Sequence, residues 1–500
     1  MRSSRSLATT LITVCLLVVA CGSVPSSDQI NTPPPSGPLP ASSSSASPEP
    51  SALAASPSPP ESLAPQPVSA MHAVRGDART IGLGVLTAPG PGGGLYVSIP
   101  EPNGSVLLVL LAATGRPQVG WPIELAGATS CRLLLPVDDG SVRAVCSPEE
   151  LNRELNSGMR AFAFDSSGKA LTGWPVDLDG SFTGRMVGDQ LTLLGRRGND
   201  VCDVGLVCGE DSMVTVAATG AVRRGVGVPN VGTCCGTEWV VGPDGVAYGV
   251  TSLTGWDGDS SSEVSRITAV DLSGVRSGWP VRIAGIASGP AFGPGGRIVL
   301  TVGSFARETS RVLVFNRQGK TVSPAAASLP IATAQSGVDC IAGGPQPPEV
   351  ALDGTIVVYS EINTAVFAVD QSLAVVRGWP YRPGSPLEYP GSSNPGDGIQ
   401  CSAIARPAVG PDTLVYLPLH ARDAKVGGSI VAVGPNGRVR PGWPVELQRN
   451  GAEFWSVVVG ADRTAFALAL EPESGGRSSA TILAIAPDGT VVYRTTIIDP

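Results

Sequence analysis

The residues of this 500-residue chain best suited to chemistry are its ten cysteines, together with two histidines and a scatter of acids. Cys21 ends an apolar stretch that runs from Leu7 to Ala20, and Cys15 lies inside that stretch. The other eight fall into spaced groups. Cys131 and Cys146 flank Asp138-Asp139-Gly140 almost symmetrically, as two positions facing each other at the open end of a hairpin do. Cys202 and Cys208 stand six apart, Cys234 and Cys235 are adjacent, and Cys340 and Cys401 are far from any other cysteine. Outside the cell, an even set of this kind reads as a disulfide framework. Cys131–Cys146 and Cys340–Cys401 are the expected pairs. The middle four pair within their groups or across them. A zinc site is disfavoured, because no histidine stands near Cys202, Cys208, Cys234 or Cys235. His72 and His420 are too isolated for a triad, and no Gly-x-Ser-x-Gly, phosphate-loop or His-Glu-x-x-His motif occurs.

The compartment follows from the first 70 residues. Arg2 and Arg5 precede the apolar stretch, and small Ala20 precedes Cys21, which is the anatomy of a secretory leader. Residues 1–20 are therefore read as a signal peptide. Val18-Val19-Ala20-Cys21 resembles the bacterial lipobox, which implies a diacylglyceryl thioether on Cys21, carrying palmitate-type chains, and cleavage before it. Residues 21–70 are rich in Ser, Pro and Ala, with Pro33-Pro34-Pro35 and a serine run at 42–45, and cannot build a core. They are expected to be a tether. The expected address is the extracytoplasmic face of the cell membrane, with acyl chains as the anchor.

Composition limits what residues 71–500 can be. Gly 63 and Pro 46 would interrupt every long helix, while 42% hydrophobic residues suffice for a core. Losing Arg2 and Arg5 takes the net charge from −8 to −10, so nucleic acid is not an expected partner. Gly-Trp-Pro recurs around Trp121, Trp174, Trp279, Trp379 and Trp443. Degenerate copies stand at 225–229 and at Val322-Ser323-Pro324, and a last copy without the triplet ends at 491–498. Each unit of about 53 residues holds four short runs of Val, Ile and Tyr separated by turn signals such as Pro243-Asp244-Gly245. Four strands per unit, here named A to D, repeated at this length predict an all-β, eight-bladed β-propeller of four-stranded antiparallel blades. The count is seven if the fifth and weakest unit is not a blade. The expected blades are 78–125, 130–178, 183–230, 236–283, 287–330, 339–383, 402–447 and 454–499. The first A strand is expected from Thr80 to Leu86, and closure need not borrow a strand. On strand D the proline suits an edge, and the five tryptophans are expected to pack across the seams between blades.

Ala269-x-Asp271-x-x-Gly274 followed by Trp279 resembles the docking repeat of PQQ-like, or quinoprotein-type, propellers, and the runs at Ala163 and Ala368 are similar. The resemblance covers residues 75–500 and implies architecture more than activity. In this grammar A–B and C–D turns are tight and share one face. The long B–C and D–A connections share the other, which is the expected working face. Glu238, Trp239, Asp339, Gln400 and Glu453 fall on its rim as possible ligand contacts, and 251–264 and 384–401 are its longest connections.

Quinoprotein alcohol dehydrogenases carry an adjacent-cysteine disulfide against their quinone, which would assign Cys234 and Cys235, with Glu238, to such a site. The chain is short for that family, and its calcium ligands and catalytic Asp find no match here. No cofactor, metal or catalytic residue is therefore expected. The expected function is a membrane-anchored binding or scaffold module at the cell envelope, monomeric, for a protein, peptide or glycan. A quinone-dependent or carbohydrate-active enzyme is the alternative, with Glu238, Asp339 or Glu453 as its carboxylates. The combination is also similar to the lipoprotein scaffold of the outer-membrane assembly machinery, from which the long tether and the extra cysteines depart.

Overall fold

The computed structural model describes residues 66–67, 73–76, 84–147, 158–201, 207–229, 238–252, 264–304, 307–322, 327–329, 346–359, 365–383, 406–419 and 426–499. They form eight antiparallel sheets in chain order, so the fold is an eight-bladed β-propeller and the fifth unit is a blade. Blade 2 shows the plan: A is Ser130–Pro136, B is Val142–Ser147, C is Met159–Phe164 and D is Val176–Leu178. In blade 6 the outer edge is reduced to two isolated bridges, Val369 with Val375 and Val366 with Tyr381. Among the described residues the first A strand is Leu86–Pro89; positions 80–83 of the expected strand lie outside them. Each end blade has four strands of its own, yet Val74–Arg75 adds a further one, parallel to the last D strand.

The core is distributed. Eight apolar clusters occupy the eight seams, one between each pair of consecutive blades and one between blades 8 and 1. This is what strands with both faces apolar require: Val106–Leu111 is buried at all six positions, and alternate residues serve different seams. A blade alone could bury neither face. The inner A strands of most neighbouring blades also contact one another, as those of blades 1 and 2 and of blades 8 and 1 do.

Five of the seams are latched by tryptophan. Trp121, Trp174, Trp279, Trp379 and Trp443 are 5% to 8% exposed, and each indole N–H donates to a carbonyl in the next blade's C–D turn. For Trp443 the acceptor is Pro487 at 3.2 Å; for Trp174 it is Ala218 at 2.9 Å. Each Trp-Pro bond is cis. The preceding glycine explains the triplet. At Gly442 (φ 88°) a Cβ would lie 1.8 Å from the Asp488 carbonyl oxygen, and at Gly489 in that turn (φ 86°) one would lie 2.2 Å from the Gly442 oxygen. Two backbones approach so closely that neither side can carry a side chain.

Where the triplet has eroded, other groups take over. In blade 3 the backbone N–H of Val226 donates to Leu272 of blade 4 at 3.0 Å. Between blades 8 and 1, the Thr495 hydroxyl donates to Gly115 at 2.8 Å.

Candidate functional site

The two faces of the ring are built differently. On one, the A–B and C–D turns repeat a single hydrogen-bonded unit, such as Val137 N–H to Ser141 with Gly140 N–H to Val137, or Asp370 N–H to Ala374 with Leu373 N–H to Asp370. An Asp or Asn side chain locks most of them. Asp370 accepts from the Ser372 and Ala374 amides at 2.8 and 3.0 Å and from the Ser372 hydroxyl at 2.6 Å. Asn316 and Asn436 accept in the same way in blades 5 and 7. The bond from a serine hydroxyl, then those from backbone amides, holds the Asp370 carboxyl below its ordinary range; Ser141 does the same for Asp139. These acids are turn-formers.

The opposite face carries the B–C and D–A connections. They were expected to be long throughout, and the structure corrects this: in blades 1 and 8 the B–C connections close tightly, Glu101 N–H to Ser105 and Glu473 N–H to Arg477, both 2.8 Å. The D–A connections at 126–129 and 179–180 are also short. Connection length therefore varies around this face.

Among the residues expected to matter, Cys131 and Cys146 are cross-strand partners in blade 2 and form a disulfide, S–S 2.04 Å. Glu238 starts the A strand of blade 4, its backbone in register with Val250. Trp239 donates its indole N–H to Asp211 Oδ2 at 2.8 Å, and Asp211 is buried on the C strand of blade 3. Trp239 is thus tied into the seam between blades 3 and 4. Glu453 starts the A strand of blade 8, opposite Leu470. Glu238 and Glu453 thus both start inner strands, of blades 4 and 8. Cys208 pairs by backbone with Asp200. Cys21, Cys202, Cys234, Cys235, Cys340, Cys401, Asp339, Gln400, the leader and the loop 384–400 lie outside the described residues, as do nearly all of 21–70 and 253–263.

Two features escaped sequence reasoning. One rung above Leu470, buried Glu471 is held by Arg494 and by Arg449, whose Nε lies 3.5 Å from Oε2; Arg449 also pairs with Glu473. Arg449 belongs to the D–A connection, Glu471 to strand B and Arg494 to strand D, so the network ties three segments of the blade 8 corner together. These residues are over twenty apart, one per segment, and leave no local spacing signal. The second feature is Glu349 on the inner strand of blade 6. It pairs with Val357, a member of the apolar seam between blades 6 and 7. Burial there pushes its carboxyl up to about 7, against the opposing pull of Arg406.

The quinoprotein resemblance implies a quinone and a calcium ion. Among the described residues no group of three His, Cys, Asp or Glu comes together that could hold a cation, so these residues do not fit that metal.

No family model matches the chain, and no curated protein matches it. Solved structures similar to it include virginiamycin B lyase from Staphylococcus aureus, 12% identical, TM-score 0.37, covering 69% of this chain and 92% of the lyase. A eukaryotic initiation factor is 11% identical over 80% of this chain and 94% of its own, TM-score 0.44. Regucalcin, a calcium-binding protein from Agrobacterium tumefaciens, is 13% identical over 58% and 82%, TM-score 0.29. The likeness is one of fold alone.

Proposed function

We propose that the chain is an exported lipoprotein of the PQQ-like propeller type, anchored through Cys21, whose ring presents a binding face at the cell envelope. The observation that carries this reading is the contrast between faces. One repeats a locked turn from blade to blade, with its acids engaged in holding the backbone; the other varies its connections from blade to blade. A ring that keeps its frame constant and varies one face is suited to recognising a protein, peptide or glycan through loop shape and hydrogen bonds. Under this reading 251–264 and 384–401 supply the largest contact surfaces, and residues 21–70 lift them clear of the bilayer.

Two experiments test the parts separately. Replacing Cys21→Ser should move the protein from the membrane fraction to the soluble fraction; retention in the membrane contradicts the lipid anchor. Glycan and peptide arrays should give hits with the intact chain that disappear when 251–264 or 384–400 is exchanged for Gly-Ser linkers. Hits unchanged by both exchanges would contradict the assignment of the binding face.

A further inference from the structure

We infer that the two short strands Gln66–Pro67 and Val74–Arg75 act as a strap that holds the ring shut across the outside of the seam between blades 8 and 1. The part of this inference that makes the strap the point where the stalk meets the ring rests on the anchor reading above.

This seam lacks the Gly-Trp-Pro latch, although Trp455 packs against its apolar cluster. The last D strand, Val491–Asp499, carries Tyr493 and Thr495 instead, and the Thr495 hydroxyl donates across to Gly115. Outside it, chain from upstream of the repeats supplies two short strands. Gln66–Pro67 pairs antiparallel with Ile123 and Glu124 on the outer strand of blade 1. Val74–Arg75 pairs in parallel with Ile498 and Asp499 on the outer strand of blade 8, and Gly76 N–H donates to the Asp499 carbonyl at 3.0 Å. Two strands from upstream of the repeats are therefore the outermost strands of two neighbouring sheets.

The contact is more than backbone pairing. Val74 is 5% exposed and belongs to the seam cluster that joins Val85 and Leu107 of blade 1 to Ile497 and Ile498 of blade 8. Both blades already have four strands, so the strap belongs to neither repeat and is an added closure. It also caps two strand edges that would otherwise present free donors and acceptors. A pull on the upstream chain would load these two-residue pairings before it loaded any blade.

The test uses the full chain with a specific protease site inserted within 62–65 in one version and within 77–83 in another. After cleavage and removal of any released fragment, amide exchange is followed at Ile497, Ile498 and Asp499. The cut at 62–65 should leave exchange unchanged. The cut at 77–83 should raise it on the order of tenfold or more, the factor that burial of one valine corresponds to. Val74→Asp in the uncut chain should raise it likewise. Equal exchange after both cuts, together with unaltered exchange in Val74→Asp, would overturn the strap. Exchange is read on purified protein, so its outcome is independent of whether Cys21→Ser leaves the membrane.

Discussion

At the scale of single residues, two carboxyl groups give opposite pH signatures. Asp370 has its carboxyl lowered by the hydrogen bonds it accepts, so its contribution is present above the ordinary carboxylate range and is lost as pH falls through the lowered value. Asp370→Asn should keep the turn, as Asn316 and Asn436 do in their own blades, and should remove part of the acid-side loss of stability. Asp370→Ala should cost about 1–2 kcal/mol at neutral pH by urea unfolding. Glu349 behaves in reverse. Its carboxyl is raised to about 7, so its stabilising state is fully present below the ordinary range and is lost as pH rises through 7. Glu349→Gln should match the parent near pH 4 and exceed it at pH 8 by on the order of 1–2 kcal/mol. A variant no more stable than the parent at pH 8 would contradict the desolvated placement.

At the scale of elements, the latch and its glycine partners are the unit that turns sheets into a ring. Trp443→Phe keeps much of the buried ring but loses the donor to Pro487, and should cost about 1 kcal/mol. Trp443→Ala should cost about 3–5 kcal/mol. Gly442→Ala should be comparably damaging although it adds only a methyl group, because the clash is with backbone and not with a movable side chain. A Gly442→Ala protein as stable as the parent would contradict the close approach. These elements were legible in the sequence because Gly-Trp-Pro and the Asp-x-x-Gly turns are local motifs that recur with the blade. The rung behind four of the tryptophans was not. Tyr96, Arg143, Tyr248 and Tyr416 each follow the first residue of strand B, and each faces the tryptophan of its own blade: ring centroids 5.5, 5.7 and 5.5 Å apart for the tyrosines, and the Arg143 guanidinium 5.5 Å above Trp174. Four aligned positions held by two chemically different residues give no composition signal, and only the strand register shows their equivalence. The Glu471 network was hidden for a related reason, since its members meet through three separate segments of blade 8.

At the scale of the whole molecule, the blade count was readable from the spacing of the triplets, and the closure was not. Two-residue strands at 66–67 and 74–75 are too short to carry a pattern, and the second lies in chain that reads as lead-in to the first blade. The variation in loop length is likewise a property of the assembled face. Whether that face serves an anchored binding module is read most directly by one measurement: the intact mass of the mature protein, extracted in mild detergent and kept oxidised. The account predicts a chain beginning at Cys21, heavier by its acyl modification and lighter by the eight hydrogens lost in forming four disulfides, with no additional bound group. A mass matching the unmodified chain from Met1, or one that includes a tightly held quinone, would contradict it.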